Sequence, residues 1–121
     1  MTTLLLALAG GAGAGMRFVV DGFIRSYIHS TLPVATMAIN ITGSFLLGLL
    51  AGAVLRQGIP ADLRLVLGTG FLGGYTTFST ASVETVRLVQ TRHAALALMN
   101  ALGTLVAAAG AAAAGLALAL R

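Results

Sequence analysis

The sequence predicts an all-α membrane protein with four transmembrane helices, the third broken near its middle. Three observations carry this. Of the 121 residues, 58% are hydrophobic and 8% charged, against about 25% charged in an ordinary soluble domain. Four apolar stretches approach the length needed to cross a bilayer, about 20 residues. The third contains GTGFLGGYTTFSTAS, Gly68 to Ser82, with four glycines in seven residues and then five Ser or Thr hydroxyls in seven. Breakable, polar backbone inside hydrocarbon is the reason to expect a discontinuous helix there.

The first helix is expected over residues 3–28. The segment before Arg17 holds fourteen residues, Thr3 to Met16, so it spans only if Arg17 snorkels to a surface or faces protein. Arg17, Asp21 and Arg25 recur at four-residue spacing and share a helical face. The stretch LLLALAGGAGAG also resembles a signal peptide, but it lacks the basic n-region of such signals and is read as a span. The second helix is expected over residues 32–55, uncharged and opened by Pro33, which suits a helix start. The third is expected over residues 63–90, with its break near 73–77. Gly58 and Pro60 punctuate the preceding link. The fourth, residues 93–120, holds no charge from Ala94 to Leu120. The whole chain, 1–121, reads as one transmembrane domain.

Orientation follows the Lys and Arg content of short loops. One side of a four-span chain collects Arg56, Arg64 and Arg121; the other collects Arg25 and Arg92, with Arg87 if it lies near that surface. This near-absence of bias predicts insertion in both orientations and pairing as an antiparallel, dual-topology homodimer. Small-residue spacings favour tight packing: Gly11/Gly15, Gly48/Gly52, Gly70/Gly74, and the stripe Gly103, Ala107, Ala111 and Gly115.

Several functions are excluded. Without cysteine there is no disulfide or thiolate chemistry, and the +4 net charge comes from scattered arginines that form no nucleic-acid-binding patch. His29 and His93 fall at predicted helix ends, with no nucleophile or metal-ligand spacing beside them, so no enzyme is expected.

Polar residues inside the membrane carry the functional signal. Thr36, Asn40 and Ser44 share a face of the second helix, and Asn100 and Thr104 repeat that spacing on the fourth. They act either as interhelical glue or as a polar path. A break after Gly73-Gly74 exposes carbonyls at one half-helix end and N–H groups at the other, which are cation and anion sites respectively; a glycine kink for close packing is the simpler alternative. Glu84 is the one candidate deep acid, and there is no Trp. A lining of hydroxyls, amides and N–H groups, with the positive edges of Phe78 or Phe71, suits a small, strongly hydrogen-bonding anion. The competing reading is a small proton-coupled or multidrug-type secondary transporter with Glu84 as the coupling acid. A membrane assembly protein without transport is a third.

The runs GGAGAGMRF (Gly10 to Phe18), ATMAINITGSFLLG (Ala35 to Gly48) and GFLGGYTTFSTASVET (Gly70 to Thr85) closely resemble signature stretches of the CrcB/Fluc family of bacterial fluoride channels. The resemblance extends over all four predicted spans. It implies a passive fluoride channel of the bacterial plasma or inner membrane, an antiparallel homodimer with two pores that export fluoride from the cytoplasm. It also implies a structural sodium ion on the dimer axis, held by backbone carbonyls of Gly73 and Thr76 from both subunits. The pore would take Asn40 as an anion-facing donor and Phe78 for its ring edge. Thr36, Ser79 and Thr80 would form a polar track, with Asn100 and Thr104 on the fourth helix. Arg17 matches the family's first-helix arginine, as vestibule or structural charge, and Glu84 follows the signature core. Two positions depart from the family pattern: Ala81 stands where a second Phe is usual, unless Phe71 or Phe45 substitutes, and Ala108 ends the fourth-helix track early.

Overall fold

The computed structural model describes all 121 residues and contains helices and short links only. Helix α1 spans Thr2–Tyr27 and α2 spans Val34–Gln57. Helix α3 covers residues 61–75, α4 Phe78–Gln90, and α5 Ala94–Ala119. Helices α1, α2 and α5 are each long and apolar enough to cross a membrane alone. Helices α3 and α4 are joined through two extended residues, Thr76 and Thr77.

Local chemistry sets the ends. Pro33 precedes α2, and Gly58 closes it in the left-handed region at φ 65°, where a side chain would be strained. Pro60 immediately precedes α3. Arg92, also at φ 65°, turns the chain between α4 and α5.

Helix α1 packs along α3, and α2 along α5. Lipid supplies no hydrophobic force between helices, so close backbone approach has to hold them together. At the first contact, a methyl group on Gly13 would fall on the Phe71 carbonyl, and one on Gly74 on the Gly10 carbonyl. At the second, a methyl on Gly48 would meet the Ala112 carbonyl, and one on Gly115 the Phe45 carbonyl. Gly70/Gly74 and Gly48/Gly52 are therefore contact pairs. Gly11 and Gly15 meet nothing within 4 Å; Gly10 and Gly13 face α3 instead. On α5 the contacting face runs through Ala112, Gly115, Leu116 and Ala119, while Ala107 of the expected stripe is exposed.

Two features differ from the sequence expectation. Gly73 and Gly74 are helical, and the break falls after Tyr75, at the C-terminal edge of the anticipated 73–77 stretch. The glycines serve the approach to α1, and the interruption belongs to the threonines. Residues Leu65–Leu72 and Met99–Gly103 also form wide turns with i→i+5 hydrogen bonding. Such turns occur often at functional sites.

Candidate functional site

The break is closed on one side by Thr76, whose backbone N–H and hydroxyl both donate to the Leu72 carbonyl at 2.9 Å. On the other side Thr77 caps α4, its hydroxyl oxygen accepting from Thr80 N at 3.2 Å. That leaves the backbone of Thr77, 8% exposed, to be satisfied. Asn40 on α2 does this with both ends of its amide. Its Nδ2 donates to the Thr77 carbonyl, and its Oδ1 accepts from Thr77 N–H, each at 2.9 Å.

The pairing has a second effect. In a continuous helix Thr77 N–H would bond to the Gly73 carbonyl; here it bonds to Asn40, so Gly73 has no backbone partner across the break. Gly73 and Thr76 line a cavity of about 290 Å³ together with Asn40, Ser44 and Phe78. The freed Gly73 carbonyl is a hard-oxygen donor of the kind a small alkali cation takes, and there is no cluster of His, Cys, Asp or Glu able to bind a metal. On that chemistry the residues fit sodium.

Neighbouring side chains brace the break. Thr42 donates to the Ala38 carbonyl at 2.8 Å, so the 3.0 Å contact between Thr42 and Tyr75 is a donation from the tyrosine. Gly43 lets the Thr76 methyl group sit against α2.

Phe78 opens α4 with its side chain 87% exposed. Ser79, Thr80 and Glu84 line a separate cavity of about 420 Å³ with Arg25, Val83 and Arg87. Arg25 bonds both oxygens of Asp21 through Nε, at 2.9 and 2.8 Å, and reaches Glu84 Oε2 at 3.3 Å. This cluster ties α1 to α4. The three-residue stack expected on α1 thus reduces to one pair, and Arg17, half-buried, takes no part in it. Glu84 Oε1 is buried without a partner.

Thr36 and Asn100 are both 2% exposed. Asn100 donates to the Thr85 hydroxyl at 2.7 Å and faces the Thr104 hydroxyl at 3.5 Å. The candidate residues therefore fall into three groups: Asn40, Gly73, Thr76 and Phe78 at the break; Ser79, Thr80 and Glu84 beside it; Asn100 and Thr104 against α4. Thr36, Arg17, Asn100 and Thr104 line neither cavity. No ring pairs with Phe78, since Phe71 stacks on Tyr75 at 6.4 Å between centroids. Sequence reasoning missed Thr77 and Thr85. The T-x-x-T spacing of Thr77 and Thr80, just ahead of a helix, is the signal that marks the first.

The family model described as CrcB-like protein, Camphor Resistance (CrcB) matches residues 4–116. A protein of Leifsonia xyli subsp. xyli, named Fluoride-specific ion channel FluC 1, is 51% identical over 96% of this chain and 85% of its own length. Fluoride-specific ion channel FluC 2 of Cutibacterium acnes is 45% identical over 100% of this chain and 99% of its own. The corresponding channel of Syntrophotalea carbinolica is 47% identical over 74% of each. With a family model and relatives matching along nearly its whole length, and three helices long and apolar enough to cross a membrane, the chain belongs to the CrcB-like family and is a multi-pass membrane protein.

Proposed function

We propose that this protein is a passive, fluoride-selective channel that exports fluoride across the bacterial plasma or inner membrane. The observation that carries the reading is the clamped break, where Asn40 leaves one amide N–H uncommitted beside Phe78 in the same cavity. An anion there meets an N–H donor and the positive edge of a ring. Fluoride, small and a strong acceptor, gains more from such groups than chloride does. The names of the relatives support the same ion.

The working unit is an antiparallel homodimer with two pores. Support comes from Phe78, Ser79 and Thr80, which lie on the outside of a single chain; hydroxyls facing lipid are costly, whereas a partner subunit covers them. The nearly balanced arginines are consistent with insertion in both orientations. A sodium ion on the dimer axis would be held by the carbonyls of Gly73 and Thr76 from each subunit, where it neutralises four converging oxygens. Ser79 and Thr80 would begin the polar path beside the break, with Thr36, Asn100, Thr104 and Arg17 assigned to it by the family resemblance. The transporter reading has no support from the relatives' names, and Glu84 is already engaged by Arg25.

Fluoride efflux from proteoliposomes, followed with a fluoride electrode after adding a potassium ionophore, tests this. Rapid fluoride release without chloride release, and without a pH gradient, is the expected result. A folded dimer that releases no fluoride, or that needs a proton gradient, overturns it.

A further inference from the structure

Thr85 lies on α4 at i+7 from Phe78 and i+4 from Ala81, so all three share a face. Its hydroxyl gives its single proton to the Ala81 carbonyl at 2.8 Å. Only lone pairs remain towards Asn100, whose Nδ2 lies 2.7 Å away. The carbonyl end of the amide in that place would set acceptor against acceptor. Oδ1 is thereby turned to Thr104, whose hydroxyl donates to it at 3.5 Å. Hydrogen bonds consequently run in one direction, from Thr104 to Asn100 to Thr85 to the Ala81 carbonyl. The wide turn Met99–Gly103 carries Asn100 to this position.

We propose that Thr85 is a positioning residue that fixes the Asn100 amide with its N–H groups towards α4, and so sets the donor side of the fourth-helix track. Asn100 is 2% exposed, and its second Nδ2 hydrogen has no protein partner. A buried, unpaired donor is costly unless something accepts it, and on the fluoride-channel reading that acceptor is the anion. A reversed amide offers oxygen at the same point and repels that anion. The proposal rests on the fluoride-channel reading for its effect on flux, but not for the orientation of the amide.

The test compares Thr85→Val, which keeps shape and removes the lone pairs, with Thr85→Ser, which keeps them. Fluoride efflux is measured from liposomes holding each variant, alone and combined with Asn100→Ala. Thr85→Val is expected to lower flux about tenfold, the effect of one lost hydrogen bond. Thr85→Ser should restore it, and Thr85→Val should have no further effect in the Asn100→Ala background. In parallel, the side-chain amide resonances of Asn100 in 15N-asparagine-labelled protein should move in Thr85→Val and stay in place in Thr85→Ser. Thr85→Ala serves for both readouts if the valine variant does not fold. The proposal fails if flux in Thr85→Val equals wild type, if serine does not rescue, if the loss persists undiminished without Asn100, or if the amide resonances do not move. Absence of fluoride flux in the wild type overturns the channel reading instead, and the resonances still decide the orientation.

Discussion

Asn40 and Thr77, 37 residues apart, exchange two hydrogen bonds of 2.9 Å in which one side-chain amide satisfies both the N–H and the carbonyl of a single extended residue. Asn is one of two side chains, with Gln, that present a donor and an acceptor side by side in this way. The break between α3 and α4 is thus maintained from α2. Without the clamp, Thr77 N–H is free to return to the Gly73 carbonyl and continue the helix.

Replacing Asn40 therefore costs structure and transport together. Asn40→Ala removes two partly buried hydrogen bonds and is expected to destabilise the protein by about 2–3 kcal/mol, at about 1 kcal/mol per bond plus the unpaired backbone. Asn40→Asp should be worse, because its carboxylate has no donor for the Thr77 carbonyl. Denaturation in detergent micelles reads the first effect, and fluoride efflux, expected to fall by more than about tenfold, reads the second. Wild-type stability in Asn40→Ala would show that the clamp does not hold the break.

Glycines on the two faces of α1 should behave oppositely. A Cβ on Gly13 meets the Phe71 carbonyl, so Gly13→Ala has to separate α1 from α3, whereas Gly11 has open space around it. Overpacking of this kind costs about 1–3 kcal/mol, while Gly11→Ala should leave stability unchanged or raise it by up to about 1 kcal/mol, since Ala is the better helix former. Thermal aggregation profiles of the two variants in the same detergent check this. Equal profiles would mean that the α1–α3 contact is not the close one.

The spans were legible because a bilayer imposes a length and a polarity that composition records directly. The position of the break was only partly legible. Gly73 and Gly74 drew attention to the right stretch for the wrong reason: their missing side chains admit the α1 backbone, and the chain actually leaves the helix at Thr76 and Thr77. The cause, Asn40, lies on another helix, and no local pattern reports a partner that far away. The wide turns at Leu65–Leu72 and Met99–Gly103 shift a hydrogen bond by one residue and leave no mark in composition. Thr85 carries no signal in the sequence, because a threonine bonded to the carbonyl four residues back is ordinary in helices. Its importance lies in the lone pairs that this bond leaves free for Asn100.

Sodium should be required for folding of the dimer rather than for driving force. If the carbonyls of Gly73 and Thr76 converge on one ion, protein purified and reconstituted with N-methylglucamine in place of sodium is expected to lose fluoride flux. Added sodium, equal on both sides of the membrane, should restore it. Restoration without a gradient separates a structural ion from a coupled one. Undiminished flux after exhaustive sodium removal would eliminate the site.

The outcome at Phe78 and Ala81 bears most directly on how the ion is held. Phe78 is the one aromatic side chain in the cavity at the break, 87% exposed in the single chain and without a ring partner. The ring quadrupole is worth about 0.5–1.5 kcal/mol in contacts between two rings; on that scale Phe78→Ile, which keeps bulk and removes the quadrupole, should slow fluoride release by roughly threefold to tenfold. The oligomeric state should not change. Ala81 shares its helix face, and its carbonyl is occupied by Thr85 while its side chain is only half-buried. Ala81→Phe therefore adds a second ring without disturbing the backbone contact, and is expected to raise fluoride flux or its ratio to chloride flux. In the Phe78→Ile background it should recover part of the loss. If Phe78→Ile conducts as well as the wild type and Ala81→Phe blocks release, the rings act as obstacles, and the hydrogen-bond donors of Asn40 and Asn100 carry the anion alone.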